Sequence, residues 1–593
     1  MAGKKFFELP YFYGIINHSS KNMKRIITTA AAFVFVSLLI AQPRTVQAYK
    51  YNVQKKINCA KGAVVSAHPL ASNAGLLMLK KGGNAFDAAI ATQLALAVVY
   101  PDAGNIGGGG FMVARTNSGK NIAIDFREKA PGKAGRDMYL DANGNPKDKL
   151  SEDGHLAAGI PGTIAGIFAI YKYAKLPFKT LIQPAIDLAE KGHAITESEA
   201  SDFNHLKDQF IKLNTVTPVF VKEGLWKAGD TLIQKDLAAT LKRVRDLGEK
   251  GFYEGKTAEL IVAEMQRGGG IITLDDLKNY KAAVRTAVEF KYKKDYTIIT
   301  MPLPGSGSII LPQVLKIAEM KGLSKYSFQS PEAVQLMTEA ERRAYADRAK
   351  FMGDPDFVKV PVKTLISDKY LTERMADYEP GKAGNSKTTQ AGNISESEET
   401  THFSIIDKWG NCVSITTTLN GGFGSRTVVG GAGFILNNEM DDFSIKPGVP
   451  NMYGAIGGEA NAIAPNKRML SSMAPSIVLK NNKPYLVVGT PGGTTIPTSV
   501  IQSIVNVIDF GLSTEDAVNK PKFHHQWLPD ILFVEKGFPE TTKEKLVQMG
   551  YTIKERGAIG RTEMIKVNYL PNSKTMKIEA VGDHRGDDDA EGY

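Results

Sequence analysis

The sequence predicts an α/β fold, and three stretches carry that reading. An apolar strand, Ala63-Val64-Val65-Ser66-Ala67, runs directly into two helical segments. Residues 111–126 read as two strands joined at Asn117-Ser118-Gly119. Residues 401–418 form a hairpin. Thr401, Phe403 and Ile405 alternate with polar neighbours, Lys408-Trp409-Gly410-Asn411 supplies the turn, and on the returning strand Val413 and Ile415 face away from Thr416 and Thr418. A chain of 593 residues has room for roughly three to four ordinary domains. Its 43% hydrophobic and 23% charged residues are those of a soluble globular protein able to bury a large core.

Residues 1–48 are expected to lie outside the fold. Lys21, Lys24 and Arg25 precede an apolar run at 26–41, and Val46-Gln47-Ala48 offers a cleavage site, the pattern of an export signal. The alternative is a retained membrane anchor. The apolar run is shorter than the ~20 residues of a comfortable span, and Arg44 closes it. The extension before Lys21 is long, so translation could start at Met1 or Met23. This segment holds Lys4, Lys5, Lys21, Lys24, Arg25 and Arg44 against Glu8 alone, so the formal charge of +11 falls to +6 without it. No dense Lys/Arg run remains, which argues against a nucleic-acid partner. Cys59 and Cys412 are too few for a disulfide framework or a cysteine-rich zinc site and are expected to be buried thiols.

The elements follow in order. A helix over 71–81 stops at Gly82-Gly83-Asn84. A second, over 85–99, is apolar almost all round and should be buried. The glycines at 104–110 give no G-x-G-x-x-G register and no strand–loop–helix order, so they read as close backbone packing, not a dinucleotide loop. The strands at 111–116 and 121–126 end at Arg127-Glu128-Lys129-Ala130-Pro131. Residues 155–290 are mostly helical; Thr163 is a candidate cap for a helix reaching about 175, and another runs from about 182 to 191, before Gly192. Residues 302–308 open a helix near Ile309 with glycines and serines that suit either a cap or an anion. A scaffold helix spans 331–351, with charge pairs such as Glu339 and Arg343. Residues 380–399 are too polar to fold and are expected to form a disordered linker.

Directly after that linker, residues 400–424 read TTHFSIIDKWGNCVSITTTLNGGFG. Thr400 opens the strand, three hydroxyls lead into Asn420, and Gly421-Gly422-Phe423-Gly424 leaves the backbone accessible to a ligand. This signature resembles that of the γ-glutamyltranspeptidases, a family of N-terminal nucleophile hydrolases, and family-like segments recur from about residue 60 to about 526. The resemblance implies a four-layer αββα sandwich and two chains formed from one precursor. Thr400 is then the nucleophile, cleavage falls between Glu399 and Thr400, and the large (49–399) and small (400–593) subunits form a heterodimer.

Chemistry explains the choice of residue. A threonine hydroxyl needs a base, and no Ser-His-Asp set is legible. His402 shares the strand face of Thr400 without an identifiable acidic partner, and His524-His525 reads as structural, not as a metal pair. Cutting before Thr400 frees an α-amino group, with an unperturbed pKa of about 7.7–8.0, beside its own hydroxyl. The hydroxyl itself can make the cut by attacking the carbonyl of Glu399. The resemblance places Thr418 against the nucleophile and Asn420 on the substrate. Thr401 and Thr416 are read as strand filler.

A γ-glutamyl group also presents an α-amine and an α-carboxylate. In Asn437-Asn438-Glu439-Met440-Asp441-Asp442, following a strand-like 434–436, the resemblance assigns Glu439 and Asp442 to the amine. In AIDFREKAP it assigns Arg127 to the carboxylate, where a planar guanidinium suits bidentate binding. Ser471 and Ser472 join Arg127, and Gly492-Gly493 is assigned as the oxyanion hole. The glycine-rich stretch 447–467 corresponds to a lid, with Tyr453 as its gating aromatic. The Arg-Gly-Asp in the C-terminal tail is too short a pattern to argue adhesion.

The implied enzyme is an exported γ-glutamyltransferase and glutathione hydrolase, periplasmic or secreted, needing no metal or organic cofactor. It would take γ-glutamyl groups from glutathione and related small molecules to water or to amino-acid and peptide acceptors. One alternative is a glutaryl- or cephalosporin-type acylase of the same fold, although a glutaryl group lacks the α-amine that Glu439 and Asp442 would hold. The other is an inactive exported γ-glutamyl-binding protein.

Overall fold

The computed structural model describes residues 46–389, 400–452, 454, 456–571, 573 and 575–593. Nearly all of the expected export signal, Glu399 and Tyr453 lie outside the described residues. Among those described, no helix is long and apolar enough to cross a membrane.

Two seven-stranded sheets form the centre. The first runs Asp589–Gly592, Ala63–Ser66, Thr401–Ile406, Cys412–Thr418, Gly109–Arg115, Asn121–Asp125, Ala283–Arg285, with every neighbour antiparallel. The second, also antiparallel throughout, runs Lys56–Cys59, Met576–Val581, Glu563–Tyr569, Lys483–Gly489, Ser476–Lys480, Tyr296–Thr300, Val288–Tyr292. The expected hairpin is present, with His402 opposite Thr416 and Ile405 opposite Val413.

Side-chain alternation assigns the layers. In the first sheet Ala63, Val65, Phe111 and Val113 face the second sheet. Val64, Met112, Ala114 and Ile415 face the helices Pro69–Lys80 and Ala85–Val99. Polar contacts also stitch the sheets together: Ser404 Oγ donates to the Glu563 carbonyl (3.1 Å) and Ser414 Oγ to the Val488 carbonyl (3.2 Å). The helices Gly307–Lys321, Pro331–Phe351 and Ile496–Ile508 share the apolar core of the second sheet. This is the four-layer αββα sandwich.

Local chemistry explains most element ends. Helix Ala85–Val99 is buried along its whole length and starts on a capping box between Asn84 and Asp87. The helix expected from 71 begins at Pro69 instead, because His68 Nδ1 accepts the Leu70 amide and caps it. The glycine run is close packing, as expected. A Cβ on Gly107 would stand 2.1 Å from the Ile435 carbonyl oxygen, and one on Gly108 2.2 Å from that of Thr418.

Further expectations are corrected. Thr163 does not cap its helix, which spans only Thr163–Tyr171; its hydroxyl donates to Asn105 Oδ1 at 2.6 Å. Residues 434–436 are not a strand, since Ile435 makes only an isolated bridge to Val428. The Ser306 hydroxyl caps nothing; its amide instead donates to the Ser471 carbonyl at 2.7 Å. Residues 380–389, expected within the disordered linker, are docked. The Gly384 amide donates to Glu339 Oε1 (3.0 Å), the Ser386 amide to Asp530 Oδ2 (2.8 Å), and Trp527 Nε1 to the Thr389 carbonyl (2.5 Å). Backbone amides are strong donors whatever the side chains, so polar composition did not prevent ordering. Neither cysteine forms a disulfide; Cys412 is buried as expected and Cys59 only partly so.

Candidate active site

Thr400 lies one residue before the strand Thr401–Ile406, which is buried throughout between the layers. The register pairs Thr401 with Thr417, and one further step sets Thr400 opposite Thr418 at the open end of the hairpin. The Thr418 hydroxyl accepts the Asn420 amide at 2.7 Å, which turns the chain sharply; Asn420 has φ 79° and its Nδ2 donates to the Asn438 carbonyl at 3.0 Å. These residues form one wall of a narrow pocket. Arg127, Arg348, Glu439, Asp442, Ser471, Ser472, Met473, Gly493, Thr494 and Ile496 complete it, and Gly492 directly precedes Gly493 in the chain.

Each wall is placed by its own local device. Arg127 follows the strand Asn121–Asp125, with its amide on Asp125 Oδ1 (3.0 Å) and its carbonyl accepting from the Tyr280 hydroxyl (2.7 Å). Glu439–Asp442 is a single 3-10 turn. Asn437 aims it, accepting the Glu439 and Gly159 amides while donating to the Gly107 and Gly159 carbonyls. Asp441 on that turn serves structure, accepting from Ser151 Oγ (2.7 Å) and the Met452 amide (2.8 Å). Ser471 is fixed by backbone bonds to residues 304–306, and its hydroxyl accepts the Met473 amide at 3.1 Å. Gly492 has φ 130°, and a Cβ there would stand 2.5 Å from Thr495 Oγ1, so only glycine fits.

Arg127 and the two acids, assigned to opposite ends of a substrate, here touch one another. Arg127 Nη1 is 2.5 Å from Glu439 Oε2, and Nη2 donates to Asp442. Buried charges require partners, and in the pocket as it stands these groups compensate each other. Burial alone would lower the Arg127 pKa, but Glu439, Asp442 and Glu128 outweigh it and hold the guanidinium above its usual range. Burial pushes Glu439 well up against the opposing pull of Arg127, and raises Asp442 likewise. Glu128, 3.5 Å from Arg127, is pushed up to about 8 by burial.

Two charged groups at the site escaped the sequence reading. Arg348, from the helix Pro331–Phe351, lines the pocket and donates from Nη2 to Ser472 Oγ at 3.3 Å. Glu128 adjoins Arg127 beneath it. Glu128 was legible as the neighbour of an assigned arginine. Arg348 was not, because Arg342 and Arg343 on the same helix are also buried and serve the docked segment and its neighbours instead.

His402 is fully buried, with Nδ1 2.9 Å from Thr416 Oγ1 and Nε2 3.1 Å from Ser404 Oγ. Burial pushes its pKa down to about 3, which keeps it neutral. Thr416, read as filler, is thus its partner. His524 and His525 have different partners, Thr498 with Gln526 and Asp530 respectively. Among the described residues no three His, Cys, Asp or Glu side chains are grouped to hold a metal ion.

The site can therefore hold a group with adjacent positive and negative charges beside a threonine hydroxyl. The sequence profile described as Gamma-glutamyltranspeptidase matches residues 71–593. The chain is 47% identical over 516 residues to a glutathione hydrolase proenzyme of Escherichia coli K12, covering 86% of this chain and 89% of that one. Among solved structures, a cephalosporin acylase from Bacillus halodurans superposes with a TM-score of 0.78 at 27% identity, covering 92% of this chain and 99% of the other. A γ-glutamyltranspeptidase chain from Helicobacter pylori gives a TM-score of 0.54 at 44% identity, covering 58% of this chain and 97% of that one.

Proposed function

This chain belongs to the γ-glutamyltranspeptidase family, and from that premise we propose that it is a self-cleaving γ-glutamyltransferase and glutathione hydrolase. The observation that carries the reading is the pocket itself, where Thr400 stands with Thr418, a buried arginine, the buried Glu439 and the partly buried Asp442. Maturation begins with the Thr400 hydroxyl attacking the carbonyl of residue 399. The peptide C–N bond breaks, an ester forms, and water hydrolyses it to leave a new carboxylate and a free α-amine on Thr400. The products are the subunits 49–399 and 400–593, held as a heterodimer.

In the mature enzyme that amine takes the proton of its own hydroxyl as the oxygen attacks the γ-carbonyl of a donor such as glutathione. The tetrahedral oxyanion lies against the backbone amides at Gly492-Gly493, donors fixed before charge develops. Collapse expels the amine portion of the donor with the proton and leaves a γ-glutamyl ester on Thr400. Water or the amine of an amino acid or peptide then takes the acyl group. No step requires a metal or organic cofactor.

The internal ion pairs explain donor recognition. The α-ammonium of a γ-glutamyl group replaces Arg127 as the partner of Glu439 and Asp442, and its α-carboxylate replaces them as the partner of Arg127. Ser471 and Ser472 add hydroxyl donors, with Arg348 behind Ser472. A donor lacking the ammonium would bring only half of this exchange, leaving an acid buried and uncompensated. The protein is read as exported to the periplasm or the medium, with neither nucleic acid nor a stable membrane span among its partners.

Turnover of γ-glutamyl and glutaryl p-nitroanilides by the mature protein tests this directly. The γ-glutamyl compound should be preferred by about 100-fold or more in kcat/KM, the scale of two charge-assisted hydrogen bonds. Preference for the glutaryl compound would move the assignment to an acylase. Tight γ-glutamyl binding without product from either compound would indicate a binding protein.

A further inference from the structure

The helix Pro331–Phe351 places Glu341, Tyr345 and Arg348 at i, i+4 and i+7, on one face. Each meets a different segment that builds the site. Glu341 Oε2 accepts the His525 amide at 3.1 Å, the Tyr345 hydroxyl donates to the Thr494 carbonyl, and Arg348 reaches Ser472. Thr494 directly follows Gly492-Gly493 and is gripped a second time: its own hydroxyl donates to Gln526 Oε1 at 2.6 Å. The same oxygen lies 2.7 Å from His524 Nε2, which fixes the orientation of the Gln526 amide. Tyr345, Thr494 and Gln526 are all buried.

Two consecutive glycines at φ 130° and 51° have little stiffness of their own. An oxyanion site works only if its N–H groups point correctly before the reaction, so the stiffness must come from a neighbour. Thr494 is that neighbour, held by its carbonyl on one side and its hydroxyl on the other.

We propose that Tyr345 and Gln526 are positioning residues for the oxyanion turn, gripping Thr494 so that the amides at Gly492-Gly493 are aligned with the tetrahedral intermediate. The proposal rests on the reading of those glycines given above. Neither side chain lines the substrate pocket, so their removal should act on the transition state and not on donor binding.

The test uses mature, self-cleaved protein. Tyr345→Phe removes one oxygen and keeps the ring that stands edge-on to His524 at 5.7 Å. Gln526→Met keeps the volume and removes the acceptor. Each is expected to lower kcat for a γ-glutamyl anilide about tenfold or more with KM within about twofold, and to weaken binding of a boronate analogue of the tetrahedral state by a similar factor. The double variant should lose little more than the worse single one, since both act through Thr494. Thr494 itself borders the pocket, so its variants are compared with each other: Thr494→Val should lose kcat as Gln526→Met does, and Thr494→Ser, which keeps the hydroxyl, should recover most of that loss; this pair decides if a Gln526 variant does not fold. Unchanged kcat in Tyr345→Phe and Thr494→Val, or a rise in KM at constant kcat, overturns the proposal. Failure of the underlying reading looks different: wild-type protein quenched during turnover would then carry no γ-glutamyl ester on Thr400.

Discussion

Arg127, Glu439 and the partly buried Asp442 hold one another, and in the proposed function a zwitterionic donor carries the two charges that separate them. Asp442→Asn keeps the shape but removes the charge that answers the ammonium. The expected result is a rise in KM for a γ-glutamyl anilide of about 10- to 100-fold with a smaller change in kcat, equivalent to about 1.5–3 kcal/mol for a hydrogen bond to a charged group. Steady-state kinetics check it; a fall in kcat at constant KM would place Asp442 on the reacting atoms instead. At this scale the residues assigned to the chemistry were legible as fixed residue types in several short segments, and the fold brings Thr400, Thr418, Asn420, Arg127, Glu439, Asp442, Ser471, Ser472 and Gly493 to one pocket. The residues that support them were not. Gln526 and Tyr345 have the composition of any buried polar position, and only their meeting at Thr494 distinguishes them.

The glycine run and the Asn437 turn act as one element. Gly107 offers its carbonyl to both the backbone and side chain of Asn437 and packs against Ile435 too closely for any Cβ. Gly107→Ala must push that segment away, at a cost of about 1–3 kcal/mol in stability. Because Asn437 aims Glu439, donor KM should rise as well. Denaturant unfolding and kinetics on the same preparation test both effects; a destabilised protein with unchanged KM would show that the turn is aimed from elsewhere. The helix Ala85–Val99 and both strands of the 401–418 hairpin were readable from periodicity, since a single face or a full burial pattern leaves a clear trace. The docking of residues 380–389 was not. It depends on backbone amides meeting Glu339 and Asp530 and on Trp527 meeting backbone carbonyls, partners remote in sequence.

For the whole molecule, the sandwich encloses ionisable groups whose protonation differs between folded and unfolded states. His402 is pushed from 6.5 down to about 3 by burial. Between those values the unfolded chain binds a proton that the folded chain refuses, so stability falls as pH falls through that window. Its contribution is about 1.4 kcal/mol per pH unit below 6.5. His402→Gln should therefore show a shallower loss of stability between pH 6.5 and 4.5 than wild type, measured by urea unfolding at each pH; parallel curves would mean that His402 is not held neutral. The α/β class was legible because strands and helices keep different periods. The stacking of two sheets came from the resemblance, since nothing in local pattern states which sheet a strand joins. All of this serves one claim, that Thr400 frees its own α-amine and then uses it. Intact mass and N-terminal sequencing of wild-type and Thr400→Ala protein test that claim most directly. The account predicts a fragment beginning Thr-Thr-His-Phe in the wild type alone; a single uncut chain that still hydrolyses a γ-glutamyl anilide would contradict it.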